Sequence, residues 1–311
     1  MLKTGIVGAG VFGGFHAQKY AASHDADIVA VFDPDHDRAA GLAEAHGARS
    51  FSSYDDFLDA VDALTIAAPA DVHFPLGMHA IERGRHVYME KPLALRADHA
   101  EALSQAASRQ GVVLQVGHQE RVVLDAIGLF ARNVRPHHLE FTRCGPASGR
   151  GEDVSVVFDL MIHDLDLAAY LIGSDLRRAS AAGDDHDVAA TLDFVGGASA
   201  SFLASRRCDK RERFMRAVYD DGVIEFDFIE RRIQSSCPAG SVRPDAVQSI
   251  QDPLGISVSW FLNAVRQRTG VRISGDDAAE AVRLAERVEA SRLALVRETM
   301  PSVSDSDRLT A

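Results

Sequence analysis

The chain has 311 residues, enough for two domains and a sizeable core. Hydrophobic residues make up 46% and charged residues 25%, the ordinary balance of a globular protein. Lys plus Arg total 33 against 45 Asp plus Glu, so the net charge of −12 excludes a general attraction to nucleic acid or anionic membranes and leaves room only for a local basic pocket. The start, "MLKTGIVGAG", shows no secretory pattern, and no apolar run approaches the roughly 20 residues of a membrane span. Cys144, Cys208 and Cys237 lie far apart with no CxxC pairing. They read as free thiols of a reducing cytoplasm, and no metal site is expected.

Strand and helix alternate through Gly117. The strands are "KTGIVG", "ADIVAVFD", "DALTIAAP", "RHVYME" and "VVLQVG". Between them lie helices at Phe12–Ser23, "HDRAAGLAEAHG", "VHFPLGMHAIERG" and "RADHAEALSQAASRQG". Apolar strands separated by such helices predict right-handed βαβ units and a doubly wound parallel sheet. After a helix at Arg121–Arg132 and the strand "HHLEFTRC", the pattern changes. "GPASGRGED" is a polar loop, and "DLMIHDLDLAAYLIG" (159–173) is a helix. The strands "DVAATLDFV", "ASASFLASR", "RFMRAVYDD" and "GVIEFDFIERRIQ" then follow with hairpin turns at "VGGA" and "DDG". This half reads as an α+β domain with a mainly antiparallel sheet. "SVSWFLNAVRQRTG" and "DDAAEAVRLAERVEASRLALV" are two closing helices. The expected domains are 1–120, the alternating α/β part, and 121–300, the α+β part with the two closing helices, with a frayed tail at 301–311.

"GIVGAGVFGGFHA" contains Gly8, Gly10 and Gly13 as a GxGxxG that follows a strand and opens a helix. Gly8 permits the tight turn, Gly10 lets the backbone approach a pyrophosphate, and Gly13 lets the helix pack on the strand. The helix start at Val11 and Phe12 offers N–H groups and a partial positive charge to that anion. A glycine turn with no nucleotide has the same residues, and the βαβ context is what separates the two. The second strand ends in Asp33, whose carboxylate suits ribose hydroxyls and repels a 2′-phosphate. No Lys or Arg follows until Arg38, so NAD is expected rather than NADP.

Two further stretches carry chemistry. Lys91, in "EKP", ends a strand of the nucleotide domain, where open α/β sheets bind ligands. There it can hydrogen-bond a reacting hydroxyl and stabilise developing negative charge, although a surface Lys–Pro turn looks the same in isolation. On the later helix, Asp159 and His163 are one turn apart and Asp166 continues their stripe. His163 can take a hydroxyl proton near neutral pH. Asp159 is expected to orient the substrate or the imidazole, and Asp166 to tie the helix to neighbouring backbone. Asp164, rotated by about 100°, is expected at the surface. Acids favoured by the helix dipole would explain Asp159 and Asp153 equally well, but not a histidine deep in an apolar stretch.

These pieces together resemble the glucose–fructose oxidoreductase, inositol dehydrogenase and MocA family (Gfo/Idh/MocA) over nearly the whole chain. The carriers are the fingerprint, "AAP" with His73, "GRHVYMEKP", and the D-x-x-x-H-x-x-D helix, in the family's order. The resemblance implies a Rossmann domain paired with an open-faced sheet that mediates homodimers or homotetramers. It implies cofactor contacts from Ala68, Pro69, His73, Glu90, Lys91 and Gln119, with Glu90 near the nicotinamide. His118 and Arg121 also follow the sixth strand's end, whereas His16 reads as structural. The basic cluster Arg206, Arg207, Lys210, Arg211 and Arg213 suits a diphosphate or a plain solvated turn equally. Met161 stands where the family often has glycine, and a bulkier residue there is expected either to narrow the substrate site or to pack elsewhere. "VGHQERV" and "FDLMIHDLDL" resemble a subgroup that includes UDP-N-acetylglucosamine 3-dehydrogenases. The expected function is therefore NAD-dependent oxidation of a secondary hydroxyl on a sugar or sugar nucleotide. The alternatives are inositol or free-sugar oxidation, or a sensor without turnover.

Overall fold

The computed structural model describes residues 1–147, 149 and 154–299. Asp153, most of its loop, and the tail 301–311 lie outside the described residues. Strands β1 (Leu2–Val7), β2 (Ala26–Phe32), β3 (Arg49–Phe51), β4 (Ala63–Ile66), β5 (His86–Met89) and β6 (Leu114–Val116) form one parallel sheet. Its order is β3-β2-β1-β4-β5-β6, so the winding reverses between β1 and β4. Such a reversal opens a crevice at the strands' carboxyl ends. Helices α1 (Val11–Ala21), α2 (His36–Ala45), α3 (Tyr54–Ala60), α4 (His73–Glu82) and α5 (Ala97–Gln110) make the crossovers. β4 is buried along its whole length, as a strand covered on both faces must be. α5 buries Ala100, Leu103, Ala106 and Ala107 on one face and stops at Gly111 in the left-handed region.

β3 and α3 have no counterpart in the sequence reading. β3 has three residues, and α3 buries only Phe57 and Leu58, too few for a periodic signal. The helix expected at 121–132 is shorter: α6 (Glu120–Ala126) gives way at Gly128, with φ of 81°, to a 3₁₀ turn at Leu129–Ala131.

The second sheet has seven strands, β7 (His138–Pro146), β8 (Leu176–Gly183), β9 (Asp187–Phe194), β10 (Ser199–Ser205), β11 (Arg207–Tyr219), β12 (Gly222–Asp227) and β13 (Arg232–Ser235). Their order is β13-β12-β11-β7-β10-β9-β8, antiparallel throughout except for β7 beside β10. β9 alternates cleanly, turning Val188, Ala190, Leu192 and Phe194 into the core. β8 was not expected, because as an edge strand it buries only Ala181. The helix carrying His163 begins as a π turn at Val157–Met161 and continues as α7 (Ile162–Ile172). After α8 (Pro244–Ser249), α9 (Pro253–Gln267) packs on α1, and α10 (Gly275–Thr299) packs on α5, α7 and β8. α9 and α10 thus bring the end of the chain back to the nucleotide-type sheet. No described helix is long and apolar enough to cross a membrane.

Candidate active site

The first loop has the shape of a dinucleotide cradle. Gly8 sits at φ +91°, and a Cβ there would fall 2.6 Å from the Ala67 carbonyl oxygen. A Cβ on Gly13 would fall 1.8 Å from the Gly8 carbonyl, so the helix meets the strand only because both are glycine. At Gly10 a Cβ would meet nothing within 4 Å, which leaves the loop's outer side open. No side chain caps α1, whose first residues Val11 and Phe12 are exposed, so its first N–H groups stay available to an anion. Asp33 is held at the end of β2, accepting from the Ala9 N–H at 2.7 Å and the Asp35 N–H at 2.8 Å. These residues fit NAD. Arg38 folds back onto Asp35 and comes within 3.7 Å of Asp33.

Beyond the strand ends lies a cavity of about 530 Å³, walled by Phe12, Ala68, Pro69, Gln119 and the polar residues described next. Lys91 reaches it from the end of β5 and donates to the Asp159 carbonyl at 2.8 Å and to its Oδ1 at 3.4 Å. The other Asp159 oxygen accepts from Arg206 at 2.9 Å. His163 lines the same cavity, with Nδ1 2.7 Å from Glu120 Oε2. Burial first, then the nearby positive charges of Arg143 and Lys91, push the His163 pKa down to about 3 against the pull of Glu120. Glu120 stays ionised: burial opposes this, but His163 and Arg143 hold its pKa well below the usual carboxylate range. At neutral pH His163 is therefore the neutral, proton-accepting form. Glu90 also lines the cavity, fixed by His16 at 2.7 Å and approached by Gln119 at 3.4 Å. Burial alone would raise the Glu90 pKa, but the His16 hydrogen bond and nearby positive charge bring it below normal.

Several expectations need correction. Asp164 is not a surface charge. It is 3% exposed and takes hydrogen bonds from Arg143 of 2.7 to 3.2 Å. Asp166 does not line the cavity or tie the helix to backbone; its partner is the buried Arg121 guanidinium. The π turn starting the helix accompanies this split of the supposed stripe. Arg121 faces Asp166 and Asp277 rather than a ligand. His73 is buried behind the cavity, its ring nitrogens 2.7 Å from the Pro92 carbonyl and 2.9 Å from that of Ala68. It braces two loops that do line the cavity. His118 is also buried off the wall, with neither ring nitrogen hydrogen-bonded among the described residues. Of the two outcomes expected for Met161 the structure shows the second: it packs wholly buried in the core, off the cavity wall.

The basic cluster divides. Arg206 is inside the cavity on Asp159, and Arg207 pairs outward with Asp184. Lys210 is exposed. Arg211 and Arg213 line the cavity, and their side chains make no hydrogen bond or ion pair among the described residues. Although its surface is exposed at the rim, partial desolvation by the cavity wall and then the like charges of Arg143 and Arg211 lower the Arg213 pKa. A bulge in β11 against β7, between Arg207 and Glu212, sets these side chains at the rim.

Glu120 and Arg143 were missed. Arg143 had a signal: it continues the inward positions Leu139 and Phe141 of β7, and a charge on a buried strand face needs a partner. Glu120 lay in the quoted "GHQER" beside residues that were singled out.

A family model described as "Oxidoreductase family, NAD-binding Rossmann fold" (GFO_IDH_MocA) matches residues 2–118, and one for the GFO/IDH/MocA C-terminal domain matches residues 131–225. The chain belongs to the Gfo/Idh/MocA oxidoreductase family. It is 35% identical over 293 residues to a UDP-N-acetylglucosamine 3-dehydrogenase of Acidithiobacillus ferrooxidans, covering 88% of this chain and 92% of the relative. A solved structure of that dehydrogenase superposes with a TM-score of 0.86 at 30% identity, over 95% of this chain and 99% of the other. A scyllo-inositol 2-dehydrogenase (NAD(+)) of Bacillus subtilis is 29% identical over 232 residues, 66% of this chain and 67% of the relative. This member of the Gfo/Idh/MocA family is thus an oxidoreductase with an NAD-binding Rossmann domain.

Proposed function

We propose that the protein is an NAD-dependent dehydrogenase that oxidises a secondary hydroxyl of a sugar nucleotide, with the 3-hydroxyl of UDP-N-acetylglucosamine as the substrate group. The observation that carries this reading is the convergence of Lys91, Asp159 and His163 on one cavity whose rim holds two arginines, Arg211 and Arg213, with no side-chain ion pair among the described residues. Gly8, Gly10 and Gly13 with the start of α1 would hold the pyrophosphate, and Asp33 the adenosine ribose. When bound, NAD supplies the hydride acceptor.

The rest falls to the chain's own groups. Lys91 donates to the reacting oxygen and stabilises negative charge developing on it. His163, neutral and with Nδ1 engaged by Glu120, accepts the hydroxyl proton at Nε2. Asp159 is held from both sides by Lys91 and Arg206, a fixed acceptor for a neighbouring sugar hydroxyl. Arg211 and Arg213 suit an anionic portion of the substrate such as a nucleoside diphosphate, which stays attached through the reaction and which a free sugar or an inositol lacks. The share of identity with the UDP-N-acetylglucosamine 3-dehydrogenase supports the same choice.

The test is a panel of UDP-sugars, free sugars and inositols, with NAD and NADP in parallel, read as NAD(P)H absorbance. Turnover confined to UDP-sugars with NAD is expected. Turnover with myo-inositol and none with UDP-sugars overturns the substrate, and NAD binding with no turnover on the whole panel overturns the enzyme reading.

A further inference from the structure

His163 is backed by a buried chain of charges that the reading above does not use. We infer that Glu120, locked in place by Arg143 and Asp164, is a positioning residue that sets the His163 tautomer and supplies the negative charge that offsets the imidazolium formed when His163 takes the proton. This rests on the reading in which His163 takes the hydroxyl proton.

Glu120 is the first residue of α6, where a carboxylate also gains from the helix dipole. Its Oε2 lies 2.7 Å from His163 Nδ1 and its Oε1 accepts from Arg143 at 3.0 Å. Ionised, Glu120 can only accept, so the shared proton sits on Nδ1. The imidazole lone pair is then on Nε2, the nitrogen left for the cavity. Arg143 cannot swing away, because its Nε and Nη2 are held by Asp164 and both residues are buried. Each Glu120 oxygen therefore has one dedicated partner, and the carboxylate has no freedom to rotate.

Glu120 and Asp164 are two carboxylates around Arg143, with the Arg213 guanidinium also acting on both and Lys91 on His163. When the hydroxyl proton moves to Nε2, the positive charge forms directly beside the Glu120 carboxylate. A buried imidazolium would otherwise be costly. Nδ1–H stays hydrogen-bonded to Glu120, which keeps its own charge throughout.

Arg143 also dictates what Glu120→Gln does. Arg143 has only donors, so the amide oxygen must face it and the amide NH₂ must face Nδ1. The His163 tautomer then inverts, placing hydrogen on Nε2, where no proton can be accepted. A merely structural pair predicts that inversion without a change in rate or pH profile.

The experiment uses full-length protein saturated with NAD. ¹⁵N NMR of the imidazoles, with His163 assigned through His163→Gln, reads the tautomer. Steady-state rates against pH with the best substrate of the panel read catalysis. The wild type should show Nδ1–H. Glu120→Gln should show Nε2–H and a kcat at least about 100-fold lower, the lower end of general-base contributions, with NAD affinity unchanged. Glu120→Asp, which keeps the charge, should retain Nδ1–H and recover part of the rate, and it decides the matter if Glu120→Gln does not fold. An unchanged tautomer in folded Glu120→Gln overturns the inference, as does Nε2–H in the wild type or in Glu120→Asp. Inversion with a wild-type rate and pH profile overturns both the catalytic part of the inference and the assignment of His163 as base. A wild type that shows Nδ1–H yet turns over nothing overturns the enzyme reading alone, since the tautomer is read without substrate.

Discussion

Arg121 donates to both oxygens of Asp166, from Nε at 2.7 Å and from Nη2 at 2.6 Å, and both residues are almost wholly buried. The guanidinium also lies 3.2 Å from Asp277 and over the Tyr170 ring, so it joins α6, α7 and α10. Removing one member of such a pair leaves a buried charge uncompensated. Asp166→Ala should therefore lose about 3–5 kcal/mol of stability, measured by urea unfolding. A loss under about 1 kcal/mol, the size of an exposed pair, would mean that Asp166 is not part of the frame behind the site.

Lys91 should matter to rate far more than to cofactor. Lys91→Ala should lower kcat by about 10²–10³-fold, the scale of losing one charge-stabilising donor. NAD affinity, followed by NADH fluorescence titration, should stay within about twofold, which is 0.4 kcal/mol. Equal losses in both would place Lys91 in the cofactor site alone.

Asp33 should govern the choice between NAD and NADP. Its carboxylate is fixed by two backbone N–H groups, with Arg38 already 3.7 Å away. Asp33→Ser removes the repulsion of a 2′-phosphate and leaves Arg38 beside the gap. The ratio of kcat/KM for NADP over NAD should rise by at least about tenfold, equivalent to 1.4 kcal/mol. No change in that ratio would contradict the assignment of Asp33 to the ribose.

Acid should destabilise the fold through its buried histidines. Burial lowers the pKa of His73, His118 and His163, the last to about 3, below the ordinary value near 6.5. The unfolded chain thus takes up protons that the folded chain refuses. The stability these groups contribute is present above about pH 6.5 and is lost as pH falls toward their folded values, each at most by about 1.4 kcal/mol per unit. Urea midpoints should drop steadily between about pH 7 and 5. A flat profile there would mean that these imidazoles are hydrated in solution.

Arg211 and Arg213 separate sugar nucleotide from free sugar. The double change to Ala should raise KM for the UDP-sugar by about 10–100-fold, about 1.4–3 kcal/mol for lost charge-assisted hydrogen bonds, and leave the affinity for NAD alone. An unchanged KM would return both residues to the status of a solvated turn.

Most of the framework was legible in the sequence because long apolar periods and glycine turns are local signals. The GxGxxG loop, the strand ending in Asp33 and the two closing helices all appear where they were read. Lys91, Asp159 and His163, each singled out by its residue type and spacing, line one cavity. What escaped were features decided by tertiary pairing. Asp164 read as surface because helical rotation alone turns it away from His163, but Arg143 of β7 waits on that side. The same strand supplies the partner of Glu120, from a position more than twenty residues along the chain. α3 and β8 bury too little apolar surface to show a period.

The central claim is oxidation at a sugar carbon of a UDP-sugar with His163 as base. UDP-N-acetylglucosamine carrying deuterium at C3, incubated with NAD and the protein, tests it most directly by mass spectrometry of the reduced cofactor. The account predicts singly deuterated NADH with the wild type, and formation at least about 100-fold slower with His163→Ala at unchanged NAD affinity. Reduced cofactor without deuterium, or wild-type rates from His163→Ala, would contradict it.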